Sequence, residues 1–334
     1  MINDFFLITL IFSILNLFLI IFFEKKYDLI SIYDKPNIKL KNHKKRMPVY
    51  GGILFFINFI IFSILDILVF NVFFQVDRFS ILLIISTTFI FFIGILDDKN
   101  DLSPFIKTVF ILIFSSVILL SNNNLIISKI NLDFIDTIYL YNFSFFFTFL
   151  CVFVFINSYN MLDGADLNIG LYNFFVLFFL YYKTSFNEIF LFFLIINSIF
   201  LFLNFYEKTF FGNNGSYFFS FFLSIILIFC FKNYNSINEE DIILVTIFPV
   251  IELIRLFFTR IIKNKSPFLG DNNHFHHISS KLFGKIKGIL FCQLYIVFCF
   301  LLDFIFSLSL WILIVEFIIL YTLSIYFMNK RLKN

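Results

Sequence analysis

Long apolar segments alternate with short polar ones along almost the whole chain, and this alternation predicts a bundle of membrane-spanning helices. Most of the apolar segments run for about 17 to 22 residues, which is the length that a helix needs to cross a bilayer. Backbone polar groups inside a bilayer must be bonded within their own segment, so these segments are expected to be helical. We count eleven of them, or ten if the weak break at 306–309 is no loop: about 4–23, 51–70, 79–96, 105–121, 143–159, 169–182, 188–205, 216–232, 241–258, 287–306 and 309–328.

The composition supports an integral membrane protein and excludes an ordinary soluble domain. Of the 334 residues, 60% are hydrophobic and only 14% are charged, whereas soluble domains carry about 25% charged residues. The first apolar segment has no basic flank before it and no small-x-small cleavage site after it, so it is interpreted as a membrane helix rather than a removed signal peptide. The predicted fold class is therefore all-α and polytopic, with a single transmembrane domain over residues 1–334.

The distribution of basic residues predicts the orientation of the chain. Alternate polar segments and the C-terminal tail hold 21 of the 25 Lys and Arg residues. Positive charge collects on the cytosolic side of membrane proteins, so the N-terminus is expected outside and the C-terminus in the cytosol. This orientation assigns five loops to the cytosolic side: about 24–50, 97–104, 157–168, 206–215 and 259–286.

Two adjacent carboxylates, Asp97 and Asp98, stand where the third apolar segment ends. Carboxylates at a membrane edge must be hydrated, paired or bound to a cation. They could bind Mg²⁺ or act as a general base. The plainer alternative is a solvated helix end.

A second polar group, Asn157-Ser-Tyr-Asn160-Met-Leu-Asp163-Gly-Ala-Asp166, follows the fifth apolar segment. Asn157 and Asn160 are three residues apart and would share a helix face, with both carboxylates in the following turn. Amides and carboxylates that converge in this way suit a nucleotide, a sugar or a metal ion. A polar helix cap is the alternative.

Glycines and basic residues indicate two places where anions could bind. The segment Gly212-Asn213-Asn214-Gly215-Ser216 opens an apolar segment, and glycines before a helix N-terminus can form an anion-binding nest. The basic loop 34–52, which contains His43, would attract phosphates and lipid head groups. An ordinary turn and a simple positive-inside loop are the respective alternatives.

Three histidines within four positions, His274, His276 and His277, form the sharpest chemical cluster. A transition-metal site is one interpretation, although apart from His43 the chain offers no further histidine to complete it. Phosphate binding by histidine as donor or cation is the more economical interpretation. A solvated loop is the third.

These polar segments, in this order and on one predicted membrane side, resemble the polyprenyl-phosphate N-acetylhexosaminyl-1-phosphate transferases, or glycosyltransferase family 4. The resemblance spans about residues 24–280. The stretch 34–52 looks like the family's D-x-P-N…H…P-x-x-G-G loop, the aspartate pair matches, and 157–166 matches N-x-x-N-x-x-D-G-x-D. The stretch 266–277 is similar to the S-P-F…D-x-x-H-x-H-H loop of the undecaprenyl-phosphate GlcNAc-1-phosphate branch, rather than the phospho-N-acetylmuramoyl-pentapeptide branch.

The resemblance implies transfer of a HexNAc-1-phosphate from a UDP-sugar to polyprenyl phosphate with release of UMP. It implies Mg²⁺ as cofactor, with Mn²⁺ as an alternative, held by Asp163, Asn213 and, in a further option, Asp98. Asp97 and Asp98 are the implied catalytic residues, Asp97 as general base or as nucleophile. The implied substrate-binding residues are His43, Asn157, Asn160, Asp166, Gly215, Ser216, His274, His276 and His277.

The same resemblance implies the partners and the location. These are a UDP-HexNAc, a polyprenyl phosphate lipid and the bacterial inner membrane, with the site on the cytosolic face at the start of a lipid-linked envelope glycan such as O-antigen or common antigen. No nucleic-acid partner is expected, and a homodimer is compatible with the sequence. In the family's G-D-x-G-S segment Asn213 replaces the aspartate, which leaves open a homologue that binds lipid phosphate without turnover. A polyprenyl-lipid transporter is the remaining alternative.

Overall fold

The computed structural model describes residues 10–18, 33–34, 47–71, 73–132, 135–163, 167–184, 187–233, 237–266, 273–306 and 310–333. Within them the chain is helical apart from turns and two small antiparallel sheets. The strands are β1 (Tyr33–Asp34), β2 (Met47–Pro48), β3 (Lys129–Leu132) and β4 (Ile135–Tyr139). The helices are α1 (10–18), α2 (Gly51–Leu65, continued by a π-helical turn Asp66–Phe70), α3 (Arg78–Asn100), α4 (Pro104–Ser121), α5 (Ser144–Leu162), α6 (Asn168–Lys183), α7 (Asn187–Phe205), α8 (Gly212–Asn233), α9 (Glu239–Ile262), α10 (Phe275–Phe283), α11 (Lys285–Phe306) and α12 (Leu310–Lys333).

The predicted fold class is confirmed. Among the described residues, eight helices are long and apolar enough to cross a membrane, and each coincides with a predicted span. The sixth predicted span is the 16-residue helix α6, which is shorter than those eight. Most of the first predicted span lies outside the described residues. The total of eleven spans and their orientation stay predictions.

Helix α8 forms the centre of the bundle and is buried along nearly its whole length. It packs against α2, α3 and α5. Phenylalanine rings fill this centre in edge-to-face pairs, for example Phe55 with Phe219 at 5.2 Å and Phe59 with Phe222 at 5.1 Å between centroids. Edge-to-face pairing at such distances is the favoured arrangement of aromatic rings. The abundance of phenylalanine therefore serves the packing of the core as well as the lipid-facing surface.

Glycines allow the N-terminus of α8 to touch the backbones of α2 and α3. A Cβ atom at Gly52 would lie 2.3 Å from the amide nitrogen of Gly215, and one at Gly94 would lie 2.4 Å from the Cα of Asn214. Real Cβ atoms do not approach backbone so closely, so any larger residue would force the helices apart. The start of α8 is thereby placed against the last turns of α3, next to the aspartate pair.

Several segments predicted as loops have regular structure; besides the end of α5 at Leu162 and the start of α8 at Gly212, three regions differ most. Helix α3 continues to Asn100, so the aspartate pair lies in its final helical turns, and Asp101 ends the helix with a positive φ of 45°. Helix α10 occupies part of the predicted loop 259–286, because its apolar face buries Phe275 and Ile278 against the bundle. Strands β3 and β4 form a hairpin in the asparagine-rich segment 122–142.

Candidate active site

The carboxylate of Asp98 caps the N-terminus of α8 from outside that helix. It accepts hydrogen bonds from the amide nitrogens of Asn213 and Asn214, each at 3.0 Å, and from Nδ2 of Asn214 at 2.6 Å. The first amide groups of a helix have no partner within it, and their dipoles favour a negative charge. The predicted anion-binding end of α8 therefore already holds an anion, which comes from the protein itself.

Asp97 is buried and bound by groups from two other helices. Its Oδ1 lies 2.7 Å from Nζ of Lys107, in the first turn of α4, and accepts the amide of Leu102 at 2.9 Å. Its Oδ2 faces the hydroxyl of Tyr217, on α8, at 3.4 Å. One oxygen of the buried carboxylate is thus held by a cation, while among the described residues the other has one long contact, to Tyr217.

A chain of polar contacts joins Asp97 to the end of α5. The hydroxyl of Ser216 donates to Oδ1 of Asn160 at 2.5 Å, and Nδ2 of Asn160 donates to the Tyr217 hydroxyl at 3.5 Å. Tyr217 continues the chain to Asp97. The C-terminal ends of α3 and α5 therefore meet the N-terminal end of α8. Five polar side chains of these three helices lie close together there. We call this place the aspartate junction: Asp97, Asp98, Asn160, Ser216 and Tyr217.

Three other predicted site residues lie near the junction without belonging to its chain of contacts, and two lie outside the described residues. Nδ2 of Asn157 donates to the carbonyl of Phe153 one turn earlier, at 2.8 Å. Asp163 is half-buried at the C-terminal end of α5, and Gly215 packs against α2. His43 and Asp166 lie outside the described residues.

The three histidines of α10 form a compact, buried cluster. The ring centroids of His276 and His277 are 4.3 Å apart, and those of His274 and His276 are 5.2 Å apart. Burial, together with the two neighbouring histidines and Arg255, holds the pKa of His276 well below its usual range. His276 is consequently a neutral imidazole at pH 7, so it would meet a phosphate as a hydrogen-bond donor and not as a cation.

Polar contacts join the end of α5, the start of α6 and the helix α11. Nδ2 of Asn168 donates to the carbonyl of Leu162 at 2.9 Å, and Gln293 donates to the side chain of Asn168 at 2.9 Å. Gln293 lies on α11, directly after the histidine helix. The C-terminal end of α5 and the start of α6 are therefore attached to α11.

The described residues do not by themselves form a complete Mg²⁺ site. No group of three or more His, Cys, Asp or Glu side chains converges in the part of the chain that the structure describes. Asp98 already uses three of its about four acceptor positions on α8, and Asp97 is paired with Lys107. Magnesium binding stays a prediction. Asp163 and Asn213, the two residues predicted to hold the metal, are both half-buried.

Comparison with known proteins gives the family. The family model described as glycosyl transferase family 4 matches residues 80–231, which include the whole aspartate junction. A protein of Thermotoga maritima named undecaprenyl-phosphate alpha-N-acetylglucosaminyl 1-phosphate transferase is 30% identical over 276 residues, covering 80% of this chain and 78% of its own length. The chain belongs to glycosyl transferase family 4.

Two further family members carry the same name. The Salmonella typhi protein is 25% identical over 296 residues, covering 81% of this chain and 77% of its own length. The Yersinia pestis protein is 28% identical over 262 residues, covering 75% and 69%. The predicted family and its GlcNAc-1-phosphate branch are thus confirmed, and the chain is a multi-pass membrane transferase.

Three residues that contact predicted site residues received no site role from the sequence: Lys107, Tyr217 and Glu252. Lys107 was visible as a cation in the first turn of the helix after the aspartate pair, but the pattern gave it no partner. Tyr217 is a tyrosine in a run of phenylalanines, and such a polar tip inside an apolar run is a usable signal. Glu252 is a carboxylate in the middle of a predicted span, which marks a candidate functional residue by default.

Proposed function

We propose that this chain transfers N-acetylglucosamine 1-phosphate from UDP-N-acetylglucosamine to polyprenyl phosphate at the cytosolic membrane face and releases UMP. The aspartate junction carries the proposal, because it places a buried carboxylate beside a lysine where three helix ends meet. The names of the relatives support the acceptor lipid and the sugar. The distribution of basic residues supports the cytosolic face.

In the proposed reaction, an oxygen of the lipid phosphate attacks the sugar-linked phosphorus of the donor. A new P–O–P bond forms to the lipid, the bond between the two phosphates of the donor breaks, and UMP leaves with the bridging oxygen. Oδ2 of Asp97 is the atom proposed to take the proton of the lipid phosphate, since Oδ1 is held by Lys107. The alternative, in which Asp97 attacks first as a nucleophile, uses the same oxygen.

The neighbouring groups are proposed to position the two phosphates. The Lys107 ammonium offsets the charge that collects where two anions meet, and the neutral imidazole of His276 donates a hydrogen bond to a phosphate oxygen. Mg²⁺, when bound, would neutralise the donor diphosphate. Asn160 and Ser216 are proposed to orient the donor sugar or nucleotide.

The test is transfer by the purified protein in nanodiscs that contain undecaprenyl phosphate. UDP-GlcNAc with Mg²⁺ should yield UMP and a lipid-linked sugar phosphate in equal amounts, and the Asp97→Asn variant should yield neither. UDP-GalNAc and UDP-MurNAc-pentapeptide are the competing donors, and faster turnover of one of them would replace the proposed sugar. If folded protein releases no UMP from any donor, the proposal fails.

A further inference from the structure

Three largely buried residues on α9 and α12 contact the N-terminal turn of the histidine helix α10. We call them the carboxylate bracket: Glu252, Arg255 and Tyr321. Glu252 is 2% exposed and accepts from Nε and Nη2 of Arg255 at 3.1 and 2.8 Å. The hydroxyl of Tyr321 donates to Glu252 and also accepts Nε of Arg255 at 2.8 Å. The two charges of α9 thus pair directly, and a hydroxyl from helix α12 bonds to both of them.

The bracket holds the first turn of α10. Oε1 of Glu252 accepts the amide of Phe275 at 2.8 Å, and Nη2 of Arg255 donates to the carbonyl of Asn273 at 2.7 Å. His274, the N-cap residue of α10, makes no capping hydrogen bond with its own side chain. A helix N-terminus needs an acceptor for its first amides, and here a carboxylate from another helix supplies it.

Aromatic packing gives the same arrangement a second connection. The ring of Tyr321 stacks on that of Phe275, with centroids 5.2 Å apart and planes 21° apart. Phe275 lies directly between His274 and His276 in the chain. The position of Tyr321 therefore affects both the backbone and the side-chain packing of the turn that presents the histidines.

We propose that Tyr321, through Glu252 and Arg255, positions the histidine helix α10. Helix α12 would then support the candidate active site in addition to spanning the membrane. The three are positioning residues, since they act through α10. The inference rests on the proposed function for its kinetic consequence, because the histidines are there assigned to the phosphates of the donor.

The chain offers a matched pair of variants for the test. Tyr321→Phe removes only the hydroxyl that bonds to both Glu252 and Arg255, and it keeps the ring. Tyr295→Phe is the control: its hydroxyl also reaches α12, where it bonds Ser324, but it makes no bond to the bracket. Both variants lose one buried hydroxyl at the interface of α12, so a general loosening of this helix would affect them equally.

Kinetics in nanodiscs separate positioning from stability. We expect Tyr321→Phe to raise the KM for UDP-GlcNAc about tenfold with kcat within about threefold, since ground-state binding of the phosphates is what a displaced α10 would lose. Tyr295→Phe should change both by less than about twofold, since its contact lies outside the bracket. An unchanged KM in Tyr321→Phe, or an equal rise in Tyr295→Phe, would overturn the proposal.

Hydrogen exchange supplies a readout that does not need turnover. The amides of Phe275–Phe283 should exchange faster in Tyr321→Phe than in wild type, and at the wild-type rate in Tyr295→Phe. If the wild-type protein releases no UMP, the proposed function fails, and this exchange comparison alone decides the positioning role. Equal exchange of these amides in all three proteins would refute it.

Discussion

Asp98 and Asn214 join the end of one helix to the beginning of another: the carboxylate accepts both the backbone amide and the side-chain amide of Asn214, at 3.0 and 2.6 Å. The contact fixes the last turn of α3 on the N-terminus of α8. It gives Asp98 a structural task that is separate from the task of its neighbour Asp97, whose carboxylate faces Lys107 and Tyr217.

This division predicts different effects of amide substitution at the two aspartates. Asp98→Asn should lower stability by about 1–3 kcal/mol, because charge-assisted bonds to three N–H groups are weakened or lost. Thermal unfolding in detergent measures this loss, and Asp97→Asn, which is expected to abolish transfer, is the comparison. If Asp98→Asn unfolds at the wild-type temperature, the cap on α8 does not stabilise the protein.

Lys107 is expected to be essential for activity because it is the cation bound to buried Asp97. Lys107→Met keeps the length of the side chain but leaves the carboxylate without its partner, so kcat should fall by at least about 100-fold, on the order of what general-base catalysis contributes. Lys107→Arg keeps the charge and should retain more activity. Equal activity of the Met and Arg variants would show that the charge is not needed.

Asn213 provides a test of the predicted metal site. Asn213→Asp restores a carboxylate at the position where the family pattern has one, so the half-saturating Mg²⁺ concentration should fall several-fold, because a charged oxygen binds a hard cation more tightly than an amide oxygen. Asn213→Ala, which has no side-chain oxygen, is the control and should raise that concentration. An unchanged or higher Mg²⁺ requirement in Asn213→Asp would show that residue 213 does not hold the metal.

His276 predicts a loss of stability in mild acid. Burial lowers its pKa in the folded protein below the ordinary value of 6.5, so the unfolded chain binds a proton first as the pH falls. Stability from this group is complete above about pH 6.5 and declines below it, towards the lower folded pKa. The unfolding temperature should therefore drop between pH 7 and 5, and His276→Gln should drop less. An equal drop in both proteins would assign the effect to other groups.

The spans were predictable because their signal is local. An apolar run of sufficient length forms a helix in a membrane whatever its neighbours are, and eight predicted spans recur as helices of the described chain. Helix α10 was missed because its nine residues mix aromatic, polar and basic side chains, and only burial against other helices makes it stable. The extension of α3 to Asn100 depends likewise on a partner, the N-terminus of α8.

The residues of the site were partly predictable, but their partners were not. Polar residues within a mostly apolar chain stand out, which was enough to find Asp97, Asn160 and the histidines. Helix packing decides which partners meet. It brings Lys107 to Asp97, and it brings Tyr321 to Glu252, which is 69 positions earlier in the chain. No periodicity in one sequence records such a pairing.

The glycine contacts of α8 have a consequence for how this protein can change over time. Because Gly52 and Gly94 bring backbone against backbone, the distance between α2, α3 and α8 is fixed by atomic radii and not by the size of side chains. The phenylalanine-rich interior can therefore drift among apolar residues while the separation of the polar helix ends stays constant. Substitutions among the apolar core residues are therefore expected to leave the spacing of the polar helix ends unchanged as long as Gly52 and Gly94 are kept.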